Sequence, residues 1–248
     1  MSLTMPHPDL PNVPVRAVWL TASPQAIRTY RSLLLPEEKA RAERFAFDHL
    51  RQLYELSQGA LRLLLARYLK CPAQEVAFTF GPKGKPALRG ESRLRFNKTQ
   101  SGSLALYAFT TDCEIGVDVE EMREAPDIDQ IASHYFCRAE ASELSSLGSP
   151  RAKQEAFLRC WTRKEAYIKA VGDGLYMPLD QFQVTLLPGD PARFVHIGND
   201  ERIASDWTLQ HIEPARGYIG AVAYRAKPRA IDFHRAVDCN ELLEAADR

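Results

Sequence analysis

The spacing of apolar residues along the chain predicts a mixture of helices and strands. Apolar residues recur at helical spacing over 50–69 and 152–171, which predicts two long amphipathic helices. Prolines and polar residues mark the starts of shorter helices at 24–34, from 36 onward, and at 127–136, 138–147 and 241–246. Alternating runs, or runs rich in β-branched and aromatic residues, predict strands at 13–20, 76–80, 94–96, 104–110, 114–120, 182–186, 207–212 and 218–224.

The order of these elements repeats once along the chain. Each half reads as a strand, helices, a long helix and then several strands, which predicts an α+β fold. We expect a pseudo-twofold arrangement of two similar subdomains, each with a long helix packed on a small, mainly antiparallel sheet. The N-terminal subdomain would span 1–112 and the C-terminal subdomain 113–248. The sequence shows no clear residue-level repeat, so this duplication rests on element order alone.

Composition and charge exclude several classes of protein. The 32 basic residues balance the 32 acidic ones, so no global field attracts nucleic acid or an anionic membrane. The five cysteines are widely spaced and form no C-x-x-C pair, which disfavours both a disulfide framework and a zinc site. The start of the chain has no secretion signal, and no apolar stretch approaches the ~20 residues that span a bilayer. We therefore expect a soluble, cytoplasmic protein. We also expect a monomer.

Charged residues interrupt the apolar stripe of the second long helix. Lys164 and Glu165 fall inside this stripe, and Lys169 lies at its margin. A carboxylate or ammonium that is buried without a partner costs several kcal/mol, so these charges should meet opposite charges, a metal ion or a ligand. The apolar members of the stripe are Phe157, Cys160, Trp161, Ile168 and Val171.

The predicted strand at 114–120 supplies a possible partner for that helix. Its apolar residues point one way, while Asp118 and Glu120 point the other, two residues apart and near enough to share one cation. If the long helix packs across this face, Glu165 adds a third carboxylate. Three carboxylates without histidine or cysteine suit a hard ion such as Mg²⁺, with Mn²⁺ as an alternative.

Each of these two segments also has a purely structural explanation. A D-x-E pair on a strand is more often a solvated sheet face, and an interior Lys-Glu pair is more often a structural ion pair. Basic residues such as Arg41 on a helix, or Lys85 on a turn, are usually solvated. The two acidic segments together favour function, because each leaves charge that the other could neutralise.

Two paired motifs make the chain resemble the Sfp-type 4′-phosphopantetheinyl transferases. Residues 116–120, GVDVE, and 161–170, WTRKEAYIKA, are close to the family signatures (I/V)G(I/V)D(I/V)E and (F/W)(S/C/T)xKE(A/S)xxK. Segments 36–45, 84–86 (GKP) and 96–102 (FNKTQSG) also follow the family order, so the resemblance spans roughly 35–224. Such enzymes transfer the phosphopantetheine arm of coenzyme A to a serine of an acyl or peptidyl carrier protein and release 3′,5′-ADP.

The resemblance implies a role for each matching residue. Asp118, Glu120 and Glu165 would be the Mg²⁺ ligands, with Asp118, Glu165 and Lys169 catalytic, Lys169 on the diphosphate and Glu165 a candidate base for the serine proton. The residues implied in coenzyme A binding are Arg41, Arg51, Lys85, Thr99, Gln100, Lys164 and Lys169. The first subdomain would contact the 3′-phosphoadenosine end, and the second would hold the metal and dock the carrier over 122–137.

One departure from the family pattern leaves alternatives open. Gln100 stands where a histidine is common, so a chargeable imidazole becomes a neutral amide. A catalytically impaired carrier-binding module is therefore one alternative. Another Mg²⁺-dependent phosphoryl or nucleotidyl transferase on the same scaffold is the second. The sequence does not say whether the carrier serves fatty acid, polyketide or nonribosomal peptide synthesis.

Overall fold

The structure, a computed structural model, describes residues 10–123, 127–172, 177–198 and 200–246. The first half contains β1 Val13–Trp19, α1 Pro24–Leu33, α2 Pro36–Ala42, α3 Asp48–Leu69, β2 Phe78–Phe80, β3 Pro86–Leu88, β4 Leu94–Ser101 and β5 Leu104–Thr111. The second half contains β6 Ile115–Glu121, α4 Ile128–Tyr135, α5 Arg138–Ser145, α6 Pro150–Val171, β7 Phe182–Val184, β8 Phe194–Ile197, α7 Glu201–Ser205, β9 Thr208–Ile212 and β10 Tyr218–Tyr224. The chain ends with β11 Ile231–Phe233, β12 Val237–Asp238 and α8 Cys239–Ala246.

Two main sheets and two long helices form the framework, which confirms the predicted α+β class. The first sheet has the order β11-β1-β5-β4, and the second has the order β6-β10-β9 and is antiparallel. Strand β5 is antiparallel to both of its neighbours, β1 and β4, whereas β11 and the short β12 run parallel to β1. Two small hairpin sheets, β2-β3 and β7-β8, flank this framework.

Hydrophobic residues form three clusters that explain the layering. One cluster lies between α3 and the first sheet, and a second lies between α6 and the second sheet. The third cluster joins the two sheets, because alternate residues of β6 point away from α6 and pack on residues of β1 and β5. The residues that β6 contributes to this third cluster are Ile115, Val117 and Val119, as the alternation predicted.

Helix α6 has well-defined ends. Ser149 accepts a hydrogen bond at Oγ from the backbone N–H of Ala152, and Pro150 occupies the first turn. Gly172 ends the helix with φ of +85°, a left-handed conformation that favours glycine. Lys169 therefore lies in the last turn, where the helix dipole favours a cation.

The two halves share a residue-level repeat that the sequence alone did not show. Corresponding elements begin 102 residues apart, as β1 and β6, α2 and α5, and α3 and α6 all demonstrate. In the first half, Glu38 pairs with the buried Arg62 at 2.7 Å. In the second half, Glu140 pairs with the buried Lys164 at 2.8 Å, again 102 residues further along.

The surroundings of these two ion pairs are also alike. Each glutamate accepts the N–H of the residue that precedes its own helix, Leu35 or Cys137. Arg62 donates to the carbonyls of Ala73 and Val76, and Lys164 donates to the carbonyls that follow α6, those of Leu179 and Phe182. Each pair thus fixes a long helix to the helix before it and to the loop after it.

The end of the chain returns to the first half. Strands β11 and β12 pair with β1, and α8 contacts α1 and α3. A division at residue 112 remains a prediction, and the structure shows that residues 231–246 lie on the first sheet. In the part of the chain that the structure describes, no helix is both long and apolar enough to cross a membrane. All five cysteines are free.

Candidate functional site

Helix α6 lies directly on β6 because Gly116 has no side chain. A Cβ at this position would lie 2.0 Å from the carbonyl oxygen of Ala166 and 2.4 Å from the nitrogen of Ala170, which no real contact allows. The turn of α6 that crosses the strand therefore lies directly on the backbone of β6. This confirms that the helix packs across the acidic face of the strand.

This close crossing places the predicted acidic residues around one lysine. Asp118 is 3% exposed, and Glu120 and Glu165 are partly buried. Lys169 Nζ lies 2.5 Å from Asp118 Oδ1 and 3.0 Å from Thr99 Oγ1. The Thr99 hydroxyl in turn donates to Asp118 Oδ1 at 3.0 Å. The predicted residues Asp118, Thr99 and Lys169 thus form one hydrogen-bonded group.

Strand β4 holds β6 in place through side chains that sequence reasoning did not assign. Asn97 Oδ1 accepts the backbone N–H of Val117 at 2.9 Å. Ser101 Oγ donates to Glu120 Oε2 at 2.8 Å and accepts the backbone N–H of Glu121 at 3.1 Å. The signal for these residues was the period-two spacing of 97, 99 and 101, which puts all three side chains on one face of the strand.

The surroundings of these carboxylates disfavour their charged state. Burial is the largest cause that raises the pKa of Asp118, and the ammonium of Lys169 opposes it. Burial and then the neighbouring charge of Asp118 raise the pKa of Glu165. The pKa of Glu120 is also raised, first by burial, against the hydrogen bond from Ser101. Among the residues that the structure describes, neither Glu120 nor Glu165 has an ion-pair partner.

Two oxygen atoms in the site are buried and have no hydrogen-bond partner. They are Asp118 Oδ2 and Glu165 Oε1. A buried carboxylate oxygen without a donor costs free energy unless a cation or a ligand supplies the missing contact. These oxygens, and the excess negative charge around them, fit a hard divalent ion.

The side chains as they stand do not yet form a closed metal cage. Over 10–123, 127–172, 177–198 and 200–246, no group of three or more His, Cys, Asp or Glu side chains converges closely enough to hold a metal. Lys169 is the cation that neutralises Asp118 in this arrangement. The assignment of three metal ligands therefore stays a prediction, which the partnerless oxygens of Asp118 and Glu165 favour.

One cavity lies beside Thr99 and Lys169, the two residues that contact Asp118, and a second cavity adjoins it. The first, about 370 Å³, is lined by Thr99, Gln100 and Lys169 together with residues of α3. The second, about 520 Å³, is lined by Arg41 and by the turn between β2 and β3. The structure thus places three of the predicted coenzyme A contacts, together with Lys169, along two adjoining cavities, the first of which reaches Lys169.

Two other residues that we predicted to contact coenzyme A, Arg51 and Lys85, line neither cavity. Arg51 pairs with Asp48 of its own helix at 2.9 Å and lines neither cavity. The ammonium of Lys85 donates to the carbonyl oxygen of Ala170 at 2.6 Å and to Glu114 at 3.0 Å, so it fastens the β2-β3 turn to the end of α6. The roles of Arg51 and Lys85 in coenzyme A binding therefore stay predictions.

The prediction for Lys164 requires a correction. Its side chain is fully buried, and its ammonium contacts Glu140 and the carbonyl oxygens of Leu179 and Phe182. A ligand could reach it only by breaking a satisfied buried ion pair. Lys164 is a structural residue, although its neighbour Glu165 faces the acidic site.

Comparisons with known proteins match the part of the chain that forms this site. The model of the 4′-phosphopantetheinyl transferase superfamily matches residues 114–223, which include β6 and α6. The 4′-phosphopantetheinyl transferase HetI of Nostoc sp. is 36% identical over 77% of this chain and 78% of its own length. The 4′-phosphopantetheinyl transferase psf-1 of Bacillus pumilus is 33% identical over 84% of this chain and 85% of its own. The 4′-phosphopantetheinyl transferase Sfp of Bacillus subtilis is 29% identical over 63% of this chain and 68% of its own length.

Proposed function

The chain belongs to the 4′-phosphopantetheinyl transferase superfamily and moves the phosphopantetheine arm of coenzyme A to a carrier protein; we propose how its own residues do so. The observation that carries the proposal is the pair of buried, partnerless oxygens on Asp118 and Glu165, next to Lys169, whose side chain lines the first cavity. No structural requirement of the fold explains these oxygens. A substrate with a diphosphate group and its counter-ion would explain them.

Asp118, Glu120 and Glu165 would hold Mg²⁺ or Mn²⁺, both of which prefer oxygen ligands. When bound, such an ion supplies positive charge for the diphosphate oxygens of coenzyme A. Ser101 orients the Glu120 carboxylate through its hydrogen bond of 2.8 Å. Thr99 does the same for Asp118.

Lys169 would neutralise the charge that develops on the leaving group. The serine oxygen of the carrier forms a bond to the phosphorus that bears the pantetheine, the bond from that phosphorus to the bridging oxygen breaks, and 3′,5′-ADP leaves. Negative charge then grows on the departing phosphate, where a positioned ammonium stabilises it. Lys169 lies one helical turn after Glu165 on the same side of α6, so both reach the same substrate.

Glu165 would accept the proton of the serine hydroxyl. A serine hydroxyl is a weak nucleophile, and a base near it in the transition state speeds its attack. Glu165 Oε1 has no partner in the structure, and its pKa is raised by burial and by Asp118. A raised pKa makes this carboxylate a stronger base than an exposed glutamate.

The carrier would dock on the segment that follows Glu120. Part of it, residues 124–126, lies outside the described residues. Arg123 and Arg138 are exposed, and Tyr135 is 47% exposed, so this surface offers cations and an aromatic side chain. An acidic helix of the carrier would be complementary to it.

Charge reversal tests this docking surface. Arg123→Glu or Arg138→Glu should raise the KM for carrier several-fold and leave the Kd for coenzyme A unchanged, because rim charges act on association. Lys227→Glu, at an exposed lysine in the turn after β10, is the control. A change in coenzyme A binding without a change in carrier KM would contradict this placement.

Intact mass spectrometry of the carrier tests the proposed reaction. The chain is incubated with coenzyme A, Mg²⁺ and apo forms of acyl and peptidyl carrier proteins. We expect the carrier to gain the mass of one phosphopantetheine group, with one 3′,5′-ADP released per carrier and no gain in EDTA. Nucleotide turnover without a mass gain would favour another phosphoryl or nucleotidyl transferase. Carrier binding without a mass gain would favour an impaired binding module.

The same assay identifies the pathway. Carriers from fatty acid, polyketide and nonribosomal peptide synthesis would be compared by their initial rates. A cytoplasmic location remains a prediction from the scattered cysteines, and a monomeric state also remains a prediction.

A further inference from the structure

Glu121 and Arg123 form an ion pair at the end of β6, on the surface where the carrier would dock. Arg123 Nε donates to Glu121 Oε2 at 2.8 Å, and Arg123 Nη2 contacts the same oxygen. The Arg123 side chain is 68% exposed, whereas that of Glu121 is 31% exposed. The carboxylate of Glu121 is the largest cause that raises the pKa of Arg123. In the free protein, a cation that the carrier would use is therefore already neutralised by the chain itself.

The surroundings of Glu121 hold its carboxylate in place. Its backbone N–H donates to Ser101 Oγ at 3.1 Å, and it lies opposite Tyr218 in the pairing of β6 with β10. The pKa of Tyr218 is raised, first by burial and then by the charge of Glu121, so a protonated hydroxyl lies near the carboxylate. A Cβ at Gly102, in the β4-β5 turn, would lie 2.6 Å from Glu121 Oε2 and 2.9 Å from Arg123 Nη2. Glu121 is thus fixed by contacts from both halves of the molecule.

The side chain of Arg123 can leave this pair while its backbone stays in place. Its N–H donates to the carbonyl oxygen of Glu121 at 2.9 Å, and Gln154 Nε2 donates to its own carbonyl oxygen. Among the described residues, its guanidinium has no hydrogen-bond partner except Glu121. Exposed ion pairs are weak, so a carboxylate of a docking protein could replace Glu121 at little cost. The fixed acid and the mobile cation can therefore separate when a partner arrives.

We propose that Glu121 competes with the carrier for Arg123 and thereby lowers the preference of this surface for acidic carriers. This inference rests on the proposed function, which brings a carrier helix to Arg123. A carrier with a carboxylate here gains only the difference between its own pair with Arg123 and the pair that Glu121 gives up. A carrier with a neutral residue here covers a cation that already has a partner, so no charge is buried alone. Glu121 thus widens the range of carriers that the surface accepts.

A second cation on the same surface provides an internal comparison. Arg138, at the start of α5, is also exposed, and among the described side chains it has no ion-pair partner. An acidic carrier can pair with Arg138 without displacing any residue of this chain. The contribution of Arg138 to docking should therefore not depend on Glu121, whereas the contribution of Arg123 should.

A double-mutant cycle on the carrier KM tests the competition. Transfer to an apo-acyl carrier protein is measured at saturating coenzyme A and Mg²⁺. Glu121→Gln should lower the carrier KM about two- to fivefold, because the carrier no longer has to displace an internal acid. The same change should have no effect in the Arg123→Met background and its full effect in the Arg138→Met background. Asp206→Asn is the control, since it removes the acid of an exposed pair with Arg225 at the opposite end of β10.

Neutralised carriers give a second readout. Each acidic residue near the acceptor serine of the acyl carrier protein is changed in turn to its amide. At least one amide should raise the KM more with Glu121→Gln than with the wild type, because Arg123 is then covered without a partner.

Three results of the cycle would overturn the competition and leave the transferase activity standing. The first is a carrier KM that Glu121→Gln raises, which would mean that the pair orients Arg123 for docking. The second is an unchanged KM. The third is a lower KM that persists in the Arg123→Met background, which would show direct repulsion of the carrier by Glu121. A wild type that transfers nothing to any carrier would overturn the proposed function and this inference with it.

Discussion

The two halves of the molecule contain the same buried ion pair, but they differ at the positions of the acidic site. Glu38 with Arg62 and Glu140 with Lys164 occupy equivalent places, 102 residues apart. The positions equivalent to Gly116, Asp118, Glu120 and Glu165 are, in the first half, Pro14, Arg16, Val18 and Leu63. The framework is thus repeated, and the acidic residues are exceptions to the repeat.

The difference shows how a structural charge can be told from a functional one. Both ion pairs are buried, and their polar atoms are satisfied by each other and by backbone groups. The acidic site is also buried, but Asp118 Oδ2 and Glu165 Oε1 have no partner. Burial alone does not distinguish the two kinds of charge. Unsatisfied hydrogen-bonding capacity does.

The largest expected effect comes from neutralising Glu165, one of the acidic residues that have no counterpart in the first half. Glu165→Gln should reduce the rate of phosphopantetheine transfer about a thousandfold, because it removes a general base and a cation ligand at once. The melting temperature of the ligand-free protein should not fall, because one of three repelling charges is lost. Glu155→Gln is the matched control, since Glu155 lies on the same helix and pairs with Arg159. A rate within a few-fold of the wild type would show that the reaction does not depend on Glu165.

Removing one partner of a buried ion pair should have the opposite effect, because it lowers the stability of the fold. Lys164→Met leaves Glu140 buried and unpaired, and we expect a loss of about 3–5 kcal/mol in the free energy of unfolding. Arg62→Met should cost a similar amount in the first half, because Glu38 is left in the same state. Lys153→Met removes an ion pair with the exposed Asp129 and should cost less than about 1 kcal/mol. Urea unfolding measures all three, and an undiminished stability in Lys164→Met would refute the structural role.

The close crossing of α6 and β6 is the next feature to test. Gly116→Ala places a methyl group where the backbone of α6 lies, so the helix must shift. Overpacking of this kind costs about 1–3 kcal/mol, and the shift should also lower the transfer rate. Gly148→Ala is the control, because nothing lies within 4 Å of a Cβ there. Identical unfolding curves for the two variants would mean that α6 does not rest on the strand.

The smallest effect is the dependence of stability on pH in the ligand-free protein. Asp118, Glu120 and Glu165 all have raised pKa values, so the folded state binds more protons than the unfolded state just above the usual carboxyl range. The contribution of these groups to stability therefore falls as pH rises from their unfolded pKa values through their folded ones. Glu165→Gln should make this slope shallower in thermal unfolding between pH 4 and pH 7. An unchanged slope would mean that Glu165 does not contribute to the pH dependence of stability.

Much of the framework could be predicted from the sequence. The helices α3 and α6 and the strand β6 have clear apolar periodicity, and their bounds agree with the prediction to within a few residues. The strands β3, β8, β11 and β12 were missed because each has four residues or fewer, too short for a pattern to show. Strand β4 is longer than predicted, since its polar residues 97–101 face the second half and the cavities and so carry no apolar signal.

The site was predictable where a motif matched and less so elsewhere. The acidic residues and Lys169 came together because the alternation of β6 and the stripe of α6 each set a direction for their side chains. Lys164 was misassigned because its partner, Glu140, lies 24 positions away on another helix, a distance that periodicity cannot span.

A Mn²⁺ titration followed by electron paramagnetic resonance tests the central claim most directly. With coenzyme A present, the wild type should bind one Mn²⁺ ion that Mg²⁺ displaces. Asp118→Asn, Glu120→Gln and Glu165→Gln should each lose this ion, and Glu140→Gln should keep it in whatever fraction remains folded. Undiminished Mn²⁺ binding in all three site variants would contradict the assignment of these carboxylates to a metal and a diphosphate.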